Sequence, residues 1–477
     1  MKKWQSKLGT IIVILTTIFL FTFTFNKPSN AESEKDQLFV FTDSNASEEV
    51  NQFLKKKYPT VKRTVIPEIA MVKLEDSNNN EQLIKASNDI KERYHNKIET
   101  TGPESKIIDS KENTLNPIVP KDEIMPTIVP DIEEKASLYQ VLGWDIKKIT
   151  EDGKSFKRQK GNHNVKIAII DSGIDFNHPD LKENIISKGK SFVPNVENMD
   201  DHMGHGTMAA GSIAANGKML GVGPELGIIP YKVMDNWQDG AESAWVTQAI
   251  IAATKDGVDV INLSLGTYKS LEKPEDRVVV EAYKRAVKYA HKHGVIVVAS
   301  AGNESLDNNN PTLIAEKRGF SGDKQVHLPG GGLSSLITVS ATDKNDLLAS
   351  YSNYGGVTVA APAGDYGPDW ATQQKLDPFS MTLTTYPTNL PQPPISKALN
   401  LPEGYVLMSG TSVAAPKVSG VVGVLIAEQQ KKGRNSLKLA QLKNILKKSS
   451  TDLGAPGKDA EYGYGLINAN KALELIK

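Results

Sequence analysis

The sequence predicts an α/β fold for most of the chain, a mostly parallel sheet flanked by helices, with a small α+β unit ahead of it. Uniformly apolar runs point to the sheet: "VKIAIIDSG", "VDVINLSLG" and "VIVVASAGN" carry no polar face, as strands covered on both sides require. Helical stretches that close on glycine lie between them, "AESAWVTQAIIAATKDG" up to Gly257 and "VVVEAYKRAVKYAHKHG" up to Gly294. Such alternation implies parallel strands joined by right-handed crossovers. In sheets of this kind the ligand crevice lies beyond the carboxyl ends of the strands.

Bulk composition sets the outer limits. With 477 residues and 39% hydrophobic content the chain exceeds one average domain and can fill a large core. Lys plus Arg and Asp plus Glu both number 56, so no global field favours nucleic acid or an anionic membrane. Cysteine is absent, which excludes disulfides, thiol nucleophiles and cysteine-held metals.

From the N-terminus, Lys2, Lys3 and Lys7 precede an apolar run from Leu8 to Phe25 and then "PSNAES". That order is a secretory signal over residues 1–31, cut after Ala31. Residues 32–100 read as a small domain. "DQLFVF" is a strand, and Ser47 is expected to cap a helix bearing Val50, Phe53 and Leu54. "TVIPEIAMVKL" is extended and broken by Pro67, and a second helix follows with Leu83, Ile84 and Ile90 on one side. Pro103, Pro117, Pro120, Pro126 and Pro130 mark residues 101–135 as an exposed, cleavable tether. The α/β unit then occupies 136–477. It ends in "INANKALELIK", without a wall-sorting pattern, so free secretion with no membrane anchor is expected.

Four residues carry the chemistry. Asp171 in "AIIDSGIDFNHPDL" and Asn303 in "ASAGNES" each stand just past an apolar strand. His205 in "DHMGHGTMAAG" lies between Gly204 and Gly206, which allow a sharp turn beside an accessible imidazole; His202 is its one serious competitor. Ser412 in "LMSGTSVAAPKVSG" reads alone as a helix cap. Together, Asp171, His205, Asn303 and Ser412, in that order and in those motifs, resemble the subtilisin-like serine proteases, the subtilases, over roughly 136–477. The resemblance implies that Ser412 is the nucleophile and His205 its base. Asp171 would orient the imidazole, and the Asn303 amide with the Ser412 N–H would receive the oxyanion. It also implies that Ser264, Leu265 and Gly266 in "NLSLG" pair with a peptide substrate as an added strand. Glu304 would fall near the pocket for the residue before the cut, where a carboxylate favours Lys or Arg.

Several positions depart from the family pattern. Met208, Val413 and Lys417 replace residues frequent in relatives, and none of them carries a proton in the mechanism. The loop "AANGKMLGVGP" is short, which leaves Asp180 without the oxygen shell that calcium demands. No metal and no cofactor is expected. The long insertion before the nucleophile, residues 380–405, has no legible role. The 32–100 unit resembles a subtilase propeptide, an intramolecular inhibitor removed on maturation. Among subtilases the chain is most similar to the leader peptidases that trim lantibiotic precursors. The alternatives are a broad extracellular protease and an inactive fold used for binding.

Overall fold

The computed structural model describes residues 36–75, 80–107, 135–331 and 333–476; the expected signal segment 1–31 and most of the expected tether lie outside them. The small unit comprises β1 (Gln37–Phe41), α1 (Ser44–Lys57), β2 (Lys62–Ile66), β3 (Met71–Glu75), α2 (Asn80–Arg93) and β4 (Ile98–Pro103). Its sheet is antiparallel in the order β2-β3-β1-β4. Alternation divides its side chains between two faces. Phe39, Phe41, Val72 and Leu74 pack against Val50 and Leu54 of α1 and Leu83 and Ile90 of α2. Leu38, Val40 and Met71 face the large unit.

Two expectations change here. Asp43, not Ser47, caps α1, accepting from the Ala46 N–H at 3.0 Å, while Ser47 donates to the Ser44 carbonyl within the helix. A carboxylate one residue before the first turn reaches the orphan amides better than a hydroxyl already inside it. The small unit also runs past 100: β4 continues to Pro103, and β5 (Lys106–Ile107) pairs with β9 (Ala241–Glu242) of the large unit. Pro103 is tolerated because β4 is an edge strand and the proline ends it.

The large unit opens with α3 (Ser137–Leu142), α4 (Trp144–Thr150) and α5 (Lys154–Arg158). There follow β6 (Lys166–Asp171), β7 (Lys190–Ser191), α6 (His205–Ala214), β8 (Gly227–Lys232), β9, α7 (Ser243–Lys255) and β10 (Val260–Leu263). Next come β11 (Thr267–Ser270), α8 (Pro274–Lys292), β12 (Ile296–Ser300), α9 (Pro311–Lys317), β13 (Gln325–Leu328), β14 (Ile337–Thr342) and β15 (Val359–Pro362). The chain closes with α10 (Trp370–Gln373), β16 (Thr382–Thr385), α11 (Pro394–Ala398), β17 (Tyr405–Met408), α12 (Thr411–Lys431), α13 (Leu439–Ser449) and α14 (Ala469–Glu474).

Seven strands form one parallel sheet, ordered β15-β14-β12-β10-β6-β8-β7. After β6 the chain builds outward through β7 and β8, then returns to place β10 on the other side. The order therefore reverses beside β6, where a crevice opens past the strand ends. One face packs on α6 and α12 and the other on α7 and α8. From Thr411 to Ala427 every residue of α12 is buried, which explains its lack of a polar face.

Candidate active site

Asp171 is the last residue of β6 and His205 the first of α6. The His205 Nδ1 lies 2.7 and 2.9 Å from the two Asp171 carboxylate oxygens, and both side chains are sealed from solvent. Gly204 sits at φ 89°, and a Cβ there would lie 2.4 Å from the Tyr386 ring, so the turn into α6 admits only glycine. Buried Asp201 holds that turn. It accepts from the N–H groups of Met203, Gly204 and Thr207 at 3.0, 2.8 and 2.8 Å, and from the Ser172 hydroxyl at 2.8 Å. The competitor His202 is exposed and bonds Asp235 instead.

Ser412 is the second residue of α12. Four residues on, Pro416 has no N–H to offer the Ser412 carbonyl. The Ser264 hydroxyl donates to that carbonyl at 2.9 Å. Ser264 itself accepts from Asn262 of β10, whose amide oxygen accepts from Ser419 about two turns further along α12. The helix carrying Ser412 is thus laced to the central strand. Asn303 follows β12; its side-chain oxygen accepts from the Thr411 N–H and hydroxyl, both at 2.8 Å. With the oxygen engaged there, the orientation of the Asn303 carboxamide is fixed beside the first residue of α12.

A cleft of about 230 Å³ begins at these residues, lined by Ser264, Gly266, Gly302, Asn303, Glu304 and Thr411. Leu265 does not join it: its side chain is buried in the core. A Cβ on Gly266 would lie 2.3 Å from the His327 ring, so the strand edge and the cleft wall meet at glycine. Glu304 lies at the back. Its carboxylate accepts from the Tyr268 hydroxyl, the Asn303 N–H at 3.0 Å and the Asn353 amide at 3.4 Å. Burial, with Glu304 beside it, pushes the Tyr268 phenol well up, so it stays a donor. His327 is pulled down to about 4 by burial and is neutral at physiological pH.

The sequence reading missed Asp201, Tyr268, Asn353, Arg318, His327 and Trp237. Arg318 stacks on Tyr268 with its guanidinium carbon 4.1 Å from the ring centre and lines the cleft. Trp237 is partly exposed and meets the His205 ring edge-on at 6.0 Å. Asp201 opens the "DHMGHGTMAAG" stretch that carries His205, so its position was readable though its role was not; the other five sit in no motif, and contact across tens of residues brings them together.

The insertion before the nucleophile now has a place. The strands β16 and β17 pair antiparallel, and the Thr385 hydroxyl donates to the Thr207 carbonyl at 2.6 Å. Thr388 donates to Asp175 through its N–H and hydroxyl, and the His178 ring bonds the Gly404 carbonyl. With Tyr386 on Gly204, the insertion braces the helix that bears His205. Asp180 is likewise occupied: its carboxylate accepts from the Lys218 and Met219 N–H groups at 3.0 and 2.7 Å. It closes the short loop with its own oxygens. Among the described residues no cluster of His, Asp and Glu is arranged to hold a metal ion.

A reversing parallel sheet with a buried Asp–His pair at one strand end, and a serine opening a buried helix beside it, defines a serine endopeptidase of the subtilisin-like α/β class. The model of the subtilase family, Peptidase_S8, matches residues 162–465, and the chain belongs to that family. It is 31% identical over 364 residues to the epidermin leader peptide-processing serine protease EpiP of Staphylococcus epidermidis, covering 69% of this chain and 74% of that one. To the nisin leader peptide-processing serine protease NisP of Lactococcus lactis subsp. lactis it is 31% identical over 362 residues, 68% of this chain and half of that protein's length. The crystal structure of EpiP from Staphylococcus aureus superposes with a TM-score of 0.71 at 27% identity, over 92% of this chain and 98% of that one.

Proposed function

We propose that the chain is a secreted, self-processing endopeptidase that removes leader peptides from lantibiotic-type precursors after a basic residue, working through Asp171, His205 and Ser412. The observation that carries this reading is the Asp171 carboxylate gripping the His205 Nδ1 inside a sealed site. That grip keeps the Nδ1 proton in place, so proton transfer runs through Nε2. Nε2 takes the Ser412 proton as the hydroxyl attacks the peptide carbonyl, and the resulting imidazolium is stabilised by Asp171. The proton then goes to the leaving amine. The Asn303 amide donors and the N-terminal dipole of α12 meet the oxyanion; losing one such donor costs about 3 kcal/mol of transition-state stabilisation.

The leader-peptidase reading rests on the likeness to EpiP and NisP, whose names state that activity. Glu304 in the cleft supports a basic residue before the cut. The small unit, whose described part is joined to the large one through β5, supports a zymogen whose tether is cut by the enzyme itself.

Fluorophosphonate labelling and hydrolysis of paired Arg and Phe peptides test the reading. Wild type should label and prefer Arg. Ser412→Ala should not label, should keep its tether intact, and should lose activity on the scale known for subtilisin itself, about 10⁶-fold in kcat. Glu304→Ser should erase the Arg preference. A precursor cut at many positions instead of one would sink the leader-peptidase part and leave a broad protease.

A further inference from the structure

Three cations line the cleft: Lys106 of the small unit, which faces Asp239, Lys269, which faces Asp276, and Arg318. Arg318 lies just past α9, fifty residues from Tyr268, yet its guanidinium stacks on the Tyr268 ring at 4.1 Å and borders the same cleft as Glu304. Gln325 of β13 accepts from its Nη1, so stacking and a hydrogen bond fix the group on one side. Tyr268 is the bridge. Its ring supports the Arg318 cation while its hydroxyl donates to Glu304. Glu304 and Tyr268 act electrostatically on Arg318, and burial lowers its pKa from the ordinary guanidinium value. His327 of β13 lies directly across from Tyr268 in the antiparallel pair with β11, its ring 4.9 Å from the Tyr268 ring and its buried Nδ1 without a hydrogen-bond partner.

We propose that Arg318 is a second specificity-determining residue, an internal cation that shares Glu304 with the incoming side chain and sets how strongly a basic residue before the cut is preferred. This rests on the reading of Glu304 as the group that meets that residue. A Lys or Arg entering the cleft gains Glu304 but approaches Arg318, whereas an acidic side chain meets the reverse. A unit charge a few Å away in a partly desolvated cleft shifts the binding of a charged group by about tenfold or more. The pocket is therefore moderated, with a basic preference weaker than Glu304 alone would impose.

The test uses the purified enzyme and three peptides that differ only in the residue before the cut, Arg, Gln or Glu, with kcat/KM read as ratios within each variant. In Arg318→Gln the Arg:Gln ratio should rise about tenfold and the Glu:Gln ratio should fall by a similar factor. Arg318→Lys, which keeps the charge, should hold both ratios within about threefold of wild type. If neither ratio moves in Arg318→Gln, the inference is overturned. Glu304→Ser separates the two claims. An unchanged Arg:Gln ratio there removes the Glu304 reading, while a fall of Glu:Gln in Arg318→Gln would still uphold Arg318. Comparable thermal unfolding of the variants shows that ratios are read on folded protein.

Discussion

The interior of the large unit and its contact with the small one use charge in opposite ways. Inside, Lys417 of α12 and Asp145 of α4 form a pair 2.6 Å apart with both side chains fully buried, and Lys417 also donates to the Pro362 carbonyl. Burial lowers the Lys417 pKa, against the pull of Asp145. Between the units, charges surround an apolar contact of Leu38, Val40 and Met71 with α7 and α8. Lys73, paired with Asp36 of its own unit, reaches across to Glu242; Lys255 pairs with Glu68 and Arg285 with Glu99, while Arg285 also donates to the Phe41 and Ile69 carbonyls. Glu104 closes the join, accepting from the N–H groups of Ser243 and Ala244 and from the Ser243 hydroxyl at the start of α7. A fully buried ion pair locks one fold, whereas the join combines a modest apolar patch with a buried Lys73, a buried Glu104 and partly exposed ion pairs.

Breaking the inner lock should have the largest effect on stability. Lys417→Met leaves Asp145 buried without its cation, at a cost of about 3–5 kcal/mol. Replacing both, Lys417→Met with Asp145→Leu, should recover most of that loss, because no charge remains to be desolvated. Denaturant unfolding in a Ser412→Ala background, where self-digestion cannot intrude, reads both. Equal instability of the single and double variants would mean that the pair is not the lock.

Legibility in the sequence follows the same division. Asp171, His205, Asn303 and Ser412 were legible because each sits in its own compact motif at a strand end or helix start. The sheet was legible because a strand buried on both faces must be apolar throughout. Arg318 and Tyr268 were not, since only the path of the chain after α9 brings the guanidinium onto the ring. The brace from 380–405 was hidden too: its prolines read as interruption, and its function lies in threonine bonds to a helix 178 positions earlier, as Thr385 makes to Thr207. Lys417 read as a harmless replacement because its partner lies in α4, a helix with no motif.

The join between units should respond more gently. The α7 N-terminus has no capping side chain of its own; Glu104 of the small unit supplies it. Glu104→Ala removes a buried acceptor of three bonds from the large unit, worth about 1.5–3 kcal/mol. On the proposed zymogen reading, the small unit, once its tether is cut, should then leave the enzyme about ten- to a hundredfold faster, seen as earlier onset of peptidase activity. Unaltered release would show that the apolar patch alone holds it.

Acidity offers the mildest adjustment, and its sign follows from the same carboxylates. Burial raises the Glu104 pKa above the ordinary glutamate value, against the hydrogen bond from Ser243, and it raises Glu242 against the nearby Lys73. Once the small unit departs, both carboxyls regain water and return toward ordinary values. The docked state therefore binds protons more tightly than the separated one, and docking strengthens as pH falls through the raised values. Lys73 is raised as well, mainly by Glu242 and Asp36 against the cost of burial, but a lysine shifted upward keeps its charge throughout the acidic and neutral range and leaves the slope there unchanged. Release of the small unit should thus be slower at about pH 5 than at about pH 8 by a few-fold, measured as the half-life of the cut complex across that interval. Glu104→Gln should flatten the dependence, since an amide does not titrate, and faster release on acidification in the unaltered chain would reverse the sign and refute the account.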